Sequence, residues 1–169
     1  MQPDADTASN LAMFTQEGYK KPQRPQFLLG NHTSFMDSIL LSRILPRNIA
    51  FRLRAYVASH VARLPLFGTL MRASGHFIVP YSSEQYDSFE LNTALMAQTQ
   101  EVVTEHLQNN GNLMFFPEGR VNATPDSIGS LRLGGFKLAL EYDAAIWTVV
   151  FYGITIPGPR QRQSGGGTP

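Results

Sequence analysis

The sequence lacks several features that would define a class of protein. It contains no cysteine, which excludes a disulfide framework, thiolate metal ligands and an acyl-cysteine intermediate. It also lacks a long hydrophobic run, because the longest nearly apolar stretch, residues 144–156, is too short to cross a bilayer and fits a buried strand. The first ten residues are polar and do not resemble a secretory signal. We therefore expect no transmembrane helix.

Acidic residues are missing between Asp37 and Glu84, although this segment contains six arginines: Arg43, Arg47, Arg52, Arg54, Arg63 and Arg72. An arginine-rich face would suit anionic lipid headgroups or the phosphates of coenzyme A. The alternative is a solvated surface whose arginines pair with carboxylates elsewhere in the fold. A net charge of only +1 and the lack of a nucleic-acid-binding motif argue against a nucleic-acid partner.

The length and composition predict one domain with a hydrophobic core, since 43% of the 169 residues are hydrophobic. We expect this domain to cover residues 26–156. Residues 1–25 are predicted to form a flexible N-terminal segment, and residues 157–169, which include a run of three glycines, a flexible C-terminal tail. No feature of the sequence indicates an oligomeric state.

Short apolar runs alternate with helical patterns along the domain. Helices are predicted at 34–45, 83–109 and 133–142, with a short helix after Ser59 that Pro65 and Gly68 interrupt. Strands are predicted at 26–29, 54–58, 76–79, 112–116 and 146–152. Strands separated by helices are typical of β-α-β units, so we predict an α/β domain with a largely parallel sheet flanked by helices.

A histidine and an aspartate, His32 and Asp37, follow the first predicted strand. Residues five apart on one helix lie about 140° apart around its axis and cannot share a face. His32 is therefore expected on the loop before the helix, with Asp37 one turn in and reaching back. The carboxylate would fix the imidazole tautomer, and the imidazole could remove a proton from an attacking hydroxyl group.

A second polar turn, residues 116–120, follows the fourth predicted strand. Functional sites in open α/β sheets gather beyond the carboxyl ends of the strands, so we expect this turn to lie near His32. Each motif alone is ordinary. His32 could be a histidine of a strand-helix turn, Asp37 a first-turn carboxylate that the helix dipole favours, and Pro-Glu-Gly simply a good turn.

Together and in this order, His32-x4-Asp37 and Phe116-Pro117-Glu118-Gly119 resemble the glycerolipid acyltransferases. This superfamily includes the acylglycerol-phosphate and lysophospholipid acyltransferases. Further segments resemble its other sequence blocks, so that the similarity extends from about residue 27 to 152. These segments are residues 64–68, 75–79, 135–137 and 146–150.

The resemblance implies a membrane-associated O-acyltransferase, peripheral on the cytosolic face, that uses acyl-coenzyme A as donor and a lysophospholipid or glycerol-phosphate as acceptor. His32 and Asp37 would be the catalytic pair, and Glu118, Gly119 and Arg120 would help to bind the acceptor. No metal or cofactor is implied, because acyl-coenzyme A is a co-substrate.

One departure from the family pattern concerns the phosphate of the acceptor. The middle block usually ends with an arginine that binds this phosphate, but here Val79 is followed by Pro80. We therefore assign phosphate binding to Arg120, Arg72 or Lys137.

Four alternatives remain open at the level of sequence. The chain could be a non-catalytic lipid-binding or partner-binding derivative, or a fragment, of the same fold. It could be a phospholipid transacylase, because residues 116–122 are close to the form in tafazzin-like members. An esterase would use Ser34 with His32. A metal site of His32, His60, His76 and Asp37 would lack the short spacing of typical histidine ligands.

Overall fold

The computed structural model describes residues 24–34, 36–45, 47–85, 88–122, 124 and 127–151. The predicted C-terminal tail, residues 152–156 of the predicted domain and nearly all of the predicted N-terminal segment lie outside these ranges. The described elements, in chain order, are β1 (Gln26–Gly30), α1 (Met36–Ile44), α2 (Arg47–Ala50), β2 (Leu53–Ala58), α3 (Ser59–Ala62), α4 (Phe67–Ala73), β3 (Phe77–Val79), β4 (Tyr81–Gln85), β5 (Ser88–Leu91), α5 (Thr93–Gln108), β6 (Asn112–Phe115), α6 (Gly134–Glu141) and β7 (Ala145–Val149).

Five of the strands form one sheet in the order β3-β2-β6-β1-β7, and every neighbouring pair is parallel. β4 and β5 form a separate antiparallel hairpin. The predicted fold class, an α/β domain with a parallel sheet flanked by helices, is therefore confirmed.

The side chains of the central strands alternate between two apolar layers, one on each face of the sheet. Leu28 and Met114 pack on one face against α1 and α2, through Leu41, Leu45 and Ile49. The opposite face packs against α5 and α6 and contains Phe27, Leu29, Leu113, Phe115, Val103, Leu107 and Ala139. Each such side chain stabilises the fold by roughly 1.5–3 kcal/mol when fully buried. A parallel sheet covered on both faces is the result.

The predicted helix over 83–109 is wrong in its first third, because the antiparallel strands β4 (Tyr81–Gln85) and β5 (Ser88–Leu91) lie there. The helix begins only at Thr93, after Asn92, whose backbone is extended and whose side-chain oxygen accepts a hydrogen bond from the Leu95 amide at 3.1 Å. An asparagine at this position satisfies an amide of the first turn and so defines the start of the helix. The Asn92 amide also donates to Pro80 O at 3.0 Å, which closes the base of the hairpin.

The last strand ends at Val149, although the sequence predicts that it continues to Tyr152. Beyond the strand, Phe151 forms two hydrogen bonds with the side chain of Asn31. Phe151 N donates to Asn31 Oδ1 at 2.7 Å, and Asn31 Nδ2 donates to Phe151 O at 2.9 Å. The loop after β1 is thereby joined to the segment that follows β7, and Tyr152 lies outside the described residues.

The predicted interrupted helix after Ser59 is present as α3 and α4, which pack closely against each other. Ser59 does not cap α3 through its side chain, because the N-cap position is held by Ala58. A Cβ atom on Gly68 would collide with the Ala62 carbonyl, so glycine is required where the two helices meet. In the part of the chain that the structure describes, no helix combines the length and apolar character needed to cross a membrane.

Candidate active site

The two predicted motifs meet because β1 and β6 are neighbours in the sheet. Leu29 pairs with Phe115, and His32 and Glu118 each lie three residues beyond these partners. After β1 the chain continues into α1 and α2 on one face of the sheet, and after β6 it continues into α6 on the other face. The loops diverge at this point, which makes the carboxyl edge of β1 and β6 the expected position of a ligand site.

Asp37 is buried at the centre of this loop region. His32 precedes α1, and Asp37, the second residue of the helix, reaches back to it, as the spacing predicts. Asp37 Oδ2 lies 3.2 Å from His32 Nδ1 and also accepts hydrogen bonds from the amides of Thr33 (2.7 Å) and Ser34 (2.8 Å). The Asp37 side chain is 0% exposed, so these three nitrogens hold the carboxylate in one orientation.

The ring of His32 is fixed on its other sides as well. The imidazole ring stacks on Phe116 with ring centroids 4.0 Å apart and planes 9° apart. The backbone carbonyl oxygen of His32 accepts a hydrogen bond from Asn122 N at 2.6 Å. A carboxylate can only accept hydrogen bonds, so Nδ1 is the donor in this contact, and Nε2 is the ring nitrogen left to face a substrate. Because 16% of the side chain remains exposed, the ring can be approached from outside.

Glu118 connects three parts of the site through its carboxylate. Oε1 accepts a hydrogen bond from His32 N at 3.0 Å, and Oε2 accepts one from Gly129 N at 2.9 Å. Glu118 as a residue is only 6% exposed. The sequence predicts that Glu118 contacts the acceptor, whereas in the structure both oxygens bind backbone amides and hold the loops around His32.

Gly119 and Arg120 complete the turn after β6. The Gly119 amide donates to Phe116 O at 2.9 Å, and Gly119 has a φ of +69°, which favours glycine. A Cβ atom here would collide with the side chain of Arg132, whose own amide donates to Pro117 O at 2.7 Å. Arg120 is exposed beside this turn. Arg132 is a neighbour of the site that the sequence does not reveal, because it follows the motif by twelve positions.

The other two predicted phosphate ligands lie apart from this hydrogen-bond network. Arg72 donates through Nη1 to Ala62 O at 2.6 Å and so joins α4 to α3. Lys137 is exposed on α6. Among the described residues, neither side chain hydrogen-bonds to His32 or Glu118, and their assignment to the acceptor phosphate stays a prediction.

Ser34 is held in the helix start and does not resemble an activated nucleophile. Its side chain is 9% exposed, and its Oγ accepts a hydrogen bond from Met36 N at 3.1 Å. Its amide donates to Asp37. The residue thus serves the geometry of the His-Asp pair.

The remaining histidines do not join His32 in a metal site. His76 Nδ1 accepts a hydrogen bond from Ala55 N at 3.0 Å, and burial, helped by the charge of Arg54, lowers the pKa of this histidine. His60 is exposed on α3. Within the described ranges, no group of three or more histidine, aspartate and glutamate side chains could hold a metal ion.

A comparison with models of known protein families identifies the family of this chain. The family model described as Acyltransferase matches residues 12–152, which is most of the chain. A search of curated proteins finds no match. With a family match of this extent and a His-Asp pair beside a Pro-Glu-Gly turn, the chain belongs to the Acyltransferase family of the glycerolipid acyltransferase superfamily.

Proposed function

We propose that the protein transfers a fatty acyl group from acyl-coenzyme A to the hydroxyl of a lysophospholipid or glycerol-phosphate acceptor. The observation that carries this proposal is the His32–Asp37 pair. Its carboxylate is completely buried and bound to Nδ1, while the imidazole remains accessible. That arrangement leaves Nε2 as a base toward an incoming substrate.

In the proposed reaction, the acceptor oxygen attacks the carbonyl carbon of the thioester while His32 Nε2 takes the hydroxyl proton. Asp37 stabilises the imidazolium that forms. The tetrahedral intermediate then collapses, the carbon–sulfur bond breaks, and the imidazolium returns its proton to the leaving thiolate. The products are an ester and free coenzyme A, with no covalent enzyme intermediate.

The acceptor phosphate would lie beside the turn after β6, with Arg120 as its first partner. Arg120 is exposed next to Glu118, whose own oxygens are occupied by backbone amides. A guanidinium group can bind phosphate through two parallel hydrogen bonds. The protein would act at a membrane surface on the cytosolic face, and acyl-coenzyme A would be its only co-substrate.

The test is acyl transfer from labelled oleoyl-coenzyme A to a panel of lysophospholipids and glycerol-phosphate, with release of free thiol as a second readout. The His32→Ala variant should lose roughly 10²–10⁴-fold of the rate, which is the usual contribution of a general base. His60→Ala is the matched control, because this histidine is exposed on α3.

Full activity of His32→Ala would refute the mechanism. A folded wild-type protein that transfers no acyl group to any acceptor would favour the non-catalytic derivative of the same fold. Transfer from an intact phospholipid without coenzyme A would favour the transacylase.

A further inference from the structure

Two segments with exposed apolar side chains lie at the same edge of the sheet as His32. The first, residues 63–70, follows the carboxyl end of β2, and the second, the described residues 120–122, 124 and 127–133, follows the carboxyl end of β6. β2 and β6 are adjacent and parallel, so both segments begin at the carboxyl edge. We call these two segments together the apolar rim.

The strand β4 forms a hydrogen bond with the start of α3, the short helix that precedes the first segment. Tyr81 N donates to the hydroxyl of Ser59, at the start of α3, at 3.4 Å. Burial raises the pKa of Tyr81, and the guanidinium charge of Arg132 opposes that rise. Arg132 also packs on Gly119 beside the candidate active site. Arg132, in the second segment of the apolar rim, therefore lies beside the candidate active site.

The apolar rim exposes large aliphatic side chains that a soluble surface would normally bury. In the first segment, Leu66 is 87% exposed and Leu70, one helical turn later, is 57% exposed. In the second segment, Ile128 is 74% and Leu133 63% exposed. Leu64, Val121 and Leu131 add further exposed apolar surface. Clusters of this kind mark contacts with a partner or a membrane.

The backbone of the first segment is held in a strained conformation that presents Leu66 outward. Leu66 has φ 61° and ψ −57°, and Phe67 N donates to Pro65 O at 2.6 Å across it. This is the geometry of a γ-turn with positive φ, which is rare and unfavourable for a residue with a side chain. Strain of this kind suggests a functional reason for the exposed leucine.

The backbone of the second segment satisfies many of its own polar groups. Asn122 Oδ1 accepts hydrogen bonds from the amide and hydroxyl of Thr124 (2.8 and 3.0 Å). Ser127 N donates to Thr124 O at 3.0 Å, and Gly129 N donates to Glu118. Because these groups need no water, the segment can enter an apolar medium at a lower desolvation cost.

The charge of the rim is complementary to anionic lipid. Residues 63–70 and 120–133 contain three arginines, Arg63, Arg120 and Arg132, and a single carboxylate, Asp126. Basic side chains around an apolar cluster bind a surface of anionic phospholipid through both electrostatic attraction and insertion of the apolar groups.

We propose that the apolar rim docks on the surface of a bilayer that contains anionic phospholipid, with Leu66 and Ile128 inserted at the level of the headgroups. The proposal rests on the proposed function in one respect, since the docked bilayer would supply the lysophospholipid acceptor. A single-chain lipid could then reach His32 from the membrane without crossing water.

The experiment measures co-sedimentation of the full chain with vesicles of phosphatidylcholine, with and without phosphatidylserine. The double variant Leu66→Ser/Ile128→Ser should reduce partitioning by at least about tenfold, because each side chain contributes apolar insertion. The matched control is Phe51→Ser/Leu140→Gln. Both residues are highly exposed, at 86% and 84%, but Phe51 precedes the amino end of β2 and Leu140 lies near the end of α6. This control should bind like the wild type.

Acyl transfer to an acceptor dispersed in detergent separates docking from catalysis. The double variant should keep that activity while losing activity on vesicles. Equal vesicle binding by the double variant and the wild type would overturn the proposal. A wild type that stays in the supernatant but is active on dispersed acceptor would overturn docking and leave the proposed function intact. Vesicle binding that the double variant loses, in a protein without transfer activity, would support docking and count against the proposed function.

Discussion

At the scale of single residues, the orientation of His32 depends on the carboxylate of Asp37. In an Asp37→Asn variant, the amide oxygen could still accept hydrogen bonds from Thr33 N and Ser34 N, so the loop would keep its shape. The same amide oxygen would also lie at hydrogen-bond distance from Nδ1, but a neutral amide would no longer stabilise the imidazolium that forms during transfer. We expect kcat to fall by about 10³–10⁴-fold, as in other His-Asp pairs.

Steady-state kinetics with a circular dichroism spectrum of each variant would test this expectation. Asp143→Asn is a suitable control, because Asp143 is 93% exposed in a loose ion pair with Arg24. An Asp37→Asn enzyme with a kcat within a few-fold of the wild type would show that the carboxylate has no part in the reaction.

The role of Glu118 can be separated from acceptor binding by the Glu118→Gln variant. Glutamine keeps one acceptor oxygen, but its NH₂ group would face the amide of either His32 or Gly129. A buried amide left without a partner costs about 1–3 kcal/mol. We therefore expect lower thermal stability and a lower kcat, with a small change in the KM for the acceptor.

Glu141→Gln, on the exposed end of α6, is the control for Glu118 and should change neither quantity. A large increase in the acceptor KM at unchanged kcat and stability would instead support the direct contact that the sequence motif predicts.

At the scale of elements, the start of α5 is defined by one side chain. Asn92→Ala removes the acceptor of the Leu95 amide, while the backbone hydrogen bond from Asn92 to Pro80 remains. We expect a loss of about 1 kcal/mol, which lowers the Tm by about 2–4 °C in a chain of this size. Asn92→Asp should restore most of this loss in thermal unfolding, and an unchanged Tm for Asn92→Ala would contradict the assignment of the cap.

The elements that the sequence predicts well are those whose pattern is set by burial on both faces of the sheet. The strand around Phe27 and the strand around Leu113 are continuous apolar runs, and both are correctly placed. The pair of strands β4 and β5 is missed, because Phe89 in β5 continues the helical spacing of the apolar residues in α5. Its pairing depends on hydrogen bonds between β4 and β5 that no local pattern records.

At the scale of the whole molecule, the site could be predicted only in part. The proximity of His32 to Glu118 follows from the parallel sheet, because both residues leave the same edge. The parallel sheet does not predict three other features: the hydrogen bond between Glu118 and Gly129, the packing of Arg132 on Gly119, and the apolar rim. They depend on how the loop over 120–133 folds back on the turn, which the sequence alone does not determine. The arginines of the predicted arginine-rich face lie at both ends of β2, since Arg54 is near its amino end and Arg63 is beyond its carboxyl end.

Two histidines at the edge opposite the candidate site should make the stability of the fold depend on pH. Burial lowers the pKa of His76 and of His106, and Arg54 acts on both in the same direction, while the hydrogen bond of His106 to Asn112 O opposes the shift. The folded state thus prefers the neutral rings, and the unfolded chain binds protons first, near the ordinary value of 6.5.

The sign of this effect follows from the proton balance. The contribution of His76 and His106 to the free energy of unfolding is complete above pH 6.5. It is lost as the pH falls through the lowered pKa values of the two histidines in the folded state. Urea unfolding at a series of pH values should show a free energy that declines below pH 6.5. His76→Asn/His106→Gln keeps an acceptor for Ala55 N and a donor for Asn112 O but cannot titrate, so its profile should be flatter in this range. His60→Ala should keep the wild-type slope, because His60 is exposed. A double variant with the wild-type slope would assign the pH dependence to other groups.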